Sequence, residues 1–98
     1  MTSLKELKIL FSDVKRLKLP TNLVDLSLHM CEKLDLRFIS VLKQLEKLVL
    51  KKCYFETSLD VSGLKRLRVV LLSYTRIKGF RVGQLLEALV VQDTRINV

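Results

Sequence analysis

LEKLVLKKC, from Leu45 to Cys53, sets leucines at its first, fourth and sixth positions and ends on a small thiol. One amphipathic strand explains the leucines, but it does not explain why nearly the same phrase recurs on both sides. LKELKILFS starts at Leu4, LVDLSLHMC at Leu23, LRVVLLSYT at Leu67 and LEALVVQDT at Leu86. All five fit L-x-x-[LV]-x-[LIV]-x-x-[SCT], and self-similarity at periods near 20 residues is the signature of a stacked repeat architecture. The fourth and sixth positions alternate with variable residues, which is strand periodicity with one buried face. A lone strand of this kind can neither hide its leucines nor satisfy its backbone. Stacked on copies of itself it pairs in parallel, and the leucines merge into one ridge.

Parallel strands need return segments, and the residues between the phrases carry apolar anchors for them. These are Val14, Leu17 and Leu19; Leu34, Phe38 and Leu42; Leu59, Val61 and Leu64; and Ile77, Phe80, Val82 and Leu85. In LRFISVLKQ, Phe38, Val41, Leu42 and Leu45 share one side at helical spacing. The first return ends in Pro20 and is too short and broken for a helix, so an extended segment or a 3₁₀ turn is expected.

Composition agrees with one folded domain spanning 1–98. Half the 98 residues are apolar, 22 of them leucine, enough to bury a core in a chain this short. Charges interrupt every apolar run before membrane-spanning length, and MTSLKELKIL lacks the apolar stretch of a secretory signal. Two cysteines, Cys31 and Cys53, are too few for a disulfide scaffold, so an intracellular, cytoplasmic setting is expected. The net charge of +8 makes acidic partners reasonable without identifying one.

Over its full length the chain resembles the leucine-rich repeat family. The resemblance implies an α/β solenoid: a curved parallel β-sheet on the concave side, with short helices or turns on the convex side. The ninth position, usually Asn or Cys in that family, reads Ser12, Cys31, Cys53, Thr75 and Thr94 here. Hydroxyls and thiols able to donate to nearby carbonyls would stand in for the family's Asn ladder. LLSYTRIKG and LVVQDTRIN resemble the S-x-T-x-[IV] phrase of some bacterial and protozoan members. Starts 19 residues apart, at two of the four steps, fall just short of the usual repeat length.

On this reading the third, fifth, seventh and eighth positions face a partner. Val49, Val69, Leu71, Ala88 and Val90 would form one apolar patch, with Leu10, Phe11 and Met30 a smaller second group. Lys47, Lys51 and Lys52 lie between them and would steer an acidic protein ligand, with His29 and Tyr74 in the same columns. A register slip would instead put the valines in the core. No polar capping unit is visible at either end, which fits a piece of a longer repeat protein or self-association into a homo-oligomer.

Catalytic chemistry finds little support. His29 is the sole histidine, without a second histidine or carboxylate arrangement for a triad or a metal site. Gly63, Gly79 and Gly83 are isolated and form no phosphate loop. The expectation is therefore no enzyme, no cofactor and no metal. Cys31 and Cys53 hold equivalent places in adjacent turns and are expected as buried thiols, with a disulfide as the alternative. Basic residues cluster in VKRLK, GLKRLR and TRIKGFR, and Lys43, Lys65, Arg66 and Arg68 would share one edge of the solenoid. Nucleic acid or another polyanion is thus the rival ligand, weakened by interspersed carboxylates and few aromatic stacking residues.

Overall fold

The computed structural model describes residues 5–10, 19–32, 35–83 and 86–96. Among them the strands are β1 (Glu6–Leu10), β2 (Asp25–His29), β3 (Lys47–Lys51), β4 (Leu59–Asp60), β5 (Val69–Ser73), β6 (Arg76–Ile77), β7 (Phe80–Arg81), β8 (Ala88–Gln92) and β9 (Arg95–Ile96). The five repeated phrases supply β1, β2, β3, β5 and β8, which form one sheet in that order, every pair parallel. Its register is the alignment of the repeats. Leu7, Leu26, Leu48, Val70 and Leu89 lie in one line across the strands, and Ile9, Leu28, Leu50, Leu72 and Val91 in the next. The chain is a parallel β-solenoid. Its spine is fully buried at Leu26, Leu28, Leu48, Leu50, Val70 and Leu72, because each of these has a turn above and below it.

Four strands of the main sheet, β2, β3, β5 and β8, end at a corner in the eighth position. Met30, Lys52, Tyr74 and Asp93 all take left-handed backbone conformations, with φ of 54°, 53°, 50° and 47°. Three of these corner amides, those of Met30, Lys52 and Tyr74, donate to the seventh-position carbonyl of the following turn at 2.9 Å. The corner swings the ninth side chain inward, where it meets backbone. Thr75 Oγ1 lies 3.1 Å from the Leu50 carbonyl of the previous turn and 2.9 Å from that of Ser73, a shared donation. Cys53 Sγ does the same toward Leu28 and Lys51, at 3.3 and 3.2 Å. The ladder expected from hydroxyls and thiols is therefore present. Beyond the corner the tenth positions pair in parallel too, as Glu32, Tyr54 and Arg76 and then β6 with β9.

Of the short helices or turns expected on the convex side, the described returns are mostly turns and short extended pairings. Among the described residues the helix is limited to a 3₁₀ segment, Leu36–Val41, capped by the Asp35 carboxylate accepting from the Arg37 amide. A further two-stranded pairing, β4 with β7, satisfies backbone of neighbouring returns. The buried residues here are Leu36, Ile39, Leu42 and Leu45, at steps of three, and Val41 is 56% exposed. Of the α-helical grouping of Phe38, Val41, Leu42 and Leu45, Val41 is thereby corrected, while Phe38 is half-buried against the core: a 3₁₀ turn eclipses i and i+3. Leu42 donates to Ile39 and Leu45 to Leu42, and one turn later Leu64 donates to Val61 and Leu67 to Leu64. Val82, expected as an anchor, is exposed, whereas Ile77, Leu59, Val61 and Leu64 are buried as expected. The expected anchors Val14, Leu17, Leu34 and Leu85, and the ladder residue Ser12, lie outside the described residues.

Candidate functional site: the outward face of the main sheet

Strand alternation fixes what the main sheet presents outward. With Leu48 and Leu50 committed to the spine, Lys47, Val49 and Lys51 of β3 face away from it, and the register aligns their counterparts on every strand. The third-position line is Glu6, Asp25, Lys47, Val69 and Ala88, and the fifth is Lys8, Ser27, Val49, Leu71 and Val90.

The apolar patch is real but uneven. Val90 is 48% exposed and Ala88 is exposed, Val69 and Leu71 are half-buried, and Val49 is 7% exposed. Val49 sits on the central strand, between Ser27 and Leu71 across the sheet and between Lys47 and Lys51 along it. It supports the patch and offers a partner almost no surface. The smaller group holds Leu10 and Met30, both exposed, while Phe11 lies outside the described residues. Tyr74 is exposed at its corner.

Charge on this face is concentrated at its centre. Lys47, Lys51 and Lys52 are exposed, and among the described residues none of them is in an ion pair. His29 is half-buried in line with Leu10 and Lys51. Burial lowers its pKa below the usual histidine value, and the positive charges of Lys8 and Lys51 lower it further. Both effects favour the neutral imidazole. Lys8 is a functional candidate that the sequence reading passed over. It stands in the fifth-position line beside Ser27, and reading that column for charge would have found it.

The basic edge is less coherent. Lys43, Lys65, Arg66 and Arg68 are all exposed. Lys43 and Lys65 take equivalent places one turn apart, and Lys5, Lys43 and Arg66 border a shallow groove that also contains Glu46. Arg66 donates to the Gln44 side-chain oxygen, and Arg68 Nε is bound to Glu87 Oε2 at 2.9 Å. Arg68 thus has a carboxylate partner, in a pair exposed on both sides.

Cys31 and Cys53 are both buried and no disulfide joins them, which decides between the two expectations. Burial pushes the Cys53 thiol up to about 11, so it stays protonated and acts only as a donor. Among the described residues no group of three or more His, Cys, Asp or Glu side chains is placed to hold a metal ion. No helix among them is long and apolar enough to cross a membrane. No family model, curated protein or solved structure matches this chain.

Proposed function

We propose that the chain is a leucine-rich-repeat-type interaction module with no enzymatic role, binding an acidic protein partner on the outward, concave face of its main sheet. The observation that carries this reading is the run of Leu71 and Val90 with Val69 and Ala88, apolar side chains on a face where alternation would ordinarily put polar ones. Apolar docking there supplies affinity, and Lys47, Lys51 and Lys52 beside it supply orientation and on-rate. The Cys and Thr ladder and the repeat phrase support the family reading.

The test is capture of partners from lysate by the wild-type chain and by Leu71→Asp/Val90→Asp, in low and high salt with nuclease present. Loss of a defined, nuclease-resistant partner in the variant, with the circular dichroism unchanged, is expected. Equal capture by wild type and variant would overturn the reading. A second reading, binding of a polyanion along the basic edge, is favoured by Lys5, Lys43 and Arg66 bordering one groove. Under it, neutralising Lys65, Arg66 and Arg68 weakens binding, the Asp variant leaves it intact, and salt reduces it steeply.

A further inference from the structure

The spine that is shut at its centre is open along β8. Leu26, Leu28, Leu48, Leu50, Val70 and Leu72 are inaccessible, yet their equivalents Leu89 and Val91 are 44% and 45% exposed. Every residue of β8, Ala88–Gln92, is exposed, and ALVVQ contains neither the charge nor the proline by which edge strands usually deter pairing. Among the described residues no strand pairs with the outer edge of β8 or with that of β1. At β1 the corresponding spine residues, Leu7 and Ile9, are only half-buried, and Leu10 beside them is exposed. β1 and β8 carry the same repeat phrase, so the parallel register that joins neighbouring turns can also join these two edges.

The geometry points to a second copy of this chain as the occupant, stacked head to tail so that β1 of one copy adds in parallel to β8 of the next. The register that runs through the existing sheet would then continue unbroken, with Leu89 against the next copy's Leu7 and Val91 against its Ile9. This goes beyond the partner-binding reading, because it uses the spine and strand edges rather than the outward face.

Charge selects this arrangement over the commoner twofold dimer. In the second-position column Glu46, Arg68 and Glu87 alternate in sign, and Arg68 already holds Glu87 at 2.9 Å. A head-to-tail neighbour extends that alternation by placing its exposed Lys5 beside Glu87. An antiparallel twofold pairing of β8 with itself, matched over Ala88–Gln92, would instead set Glu87 of each copy opposite Asp93 of the other. Like charges placed directly opposite destabilise a strand pair. Head-to-tail contacts do not close on themselves, so the assembly grows beyond a dimer.

Sedimentation velocity of the 98-residue chain over about two decades of concentration tests this, since mass action reveals association as a concentration-dependent mass. The weight-average mass is expected to rise past that of a dimer without a plateau. Glu87→Lys is expected to weaken association about tenfold by turning an attraction into a repulsion, and Glu87→Lys/Lys5→Glu to restore it. Both side chains are exposed, so these variants leave the core intact. Because Glu87→Lys also breaks the Arg68 pair within the chain, which the double variant does not repair, restoration by the double variant reports the contact between copies. Leu89→Asp, checked for folding by circular dichroism, is expected to leave monomer. A monomer mass at every concentration overturns the proposal, as does a double variant that fails to restore association. A plateau at dimer tightened by Glu87→Lys overturns it too, because that is the signature of the twofold pairing.

Discussion

Among the described residues, four with left-handed backbone set corners of this solenoid, and none of them is glycine. Met30, Lys52, Tyr74 and Asp93 lie at φ near 50°, a region that costs an L-residue roughly 1–2 kcal/mol. The Lys52 side chain is exposed, so substitution there probes backbone alone. Lys52→Gly is expected to raise stability by up to about 1 kcal/mol, the relief exceeding glycine's entropy cost, whereas Lys52→Val should lower it by about 1–2 kcal/mol. Urea unfolding of the two variants reads both signs. Next to each corner sits the ladder residue. Cys53 has its pKa raised from 9.0 to about 11 by burial, so well below pH 9 its thiol is neutral in both folded and unfolded chains. Above that the unfolded chain releases its proton first, and stability falls as pH rises toward the folded value, by on the order of 2–3 kcal/mol. Cys53→Thr, which keeps a donor of the kind Thr75 already provides, should remove this alkaline loss. Thiol reagents should find both cysteines silent in the folded protein and both reactive after unfolding without reductant.

At the scale of elements, the returns reward a step of three rather than of four. Leu36, Ile39, Leu42 and Leu45 are buried while Val41 is 56% exposed, so Leu42→Ala should cost about 2–5 kcal/mol and Val41→Ala well under 1 kcal/mol. An α-helical return would give the two substitutions similar costs, and thermal unfolding separates the cases. The strands were legible in the sequence because their alternation and the five-fold phrase are the same physical fact, a ridge that must be covered on both sides. The ladder was legible for the same reason, since a small donor recurs at one position. The returns were not, because apolar residues spaced three and four apart overlap in so short a window. Nor were the corners, since Lys, Met and Tyr carry no signal for a left-handed backbone. Of the outward face, the columns could be read but not the exposure within them. Val49 is covered by its place on the central strand, which a count of strands would have suggested.

For the whole molecule, position along the stack decides what a leucine contributes. Leu48 and Leu89 occupy the same place in their repeats, yet one is inaccessible and the other 44% exposed. Leu48→Ala is expected to cost about 3 kcal/mol or more and Leu89→Ala no more than about 1 kcal/mol at concentrations where the chain is monomeric, because only the first leaves a cavity. Equal losses would mean the stack does not order its turns as described. The outward face and the open edge both depend on that order, since a different pairing would redistribute every side chain between inside and outside. The most direct measurement is methyl-to-methyl NOE contacts in a chain selectively labelled at Leu and Val. A continuous path from Leu26 to Leu48 to Val70 to Leu89 is expected, with Val49 linked to Leu71 on the opposite face. Breaks in that path, or contacts joining Val49 to the spine residues of neighbouring strands, would contradict the solenoid and every reading built on it.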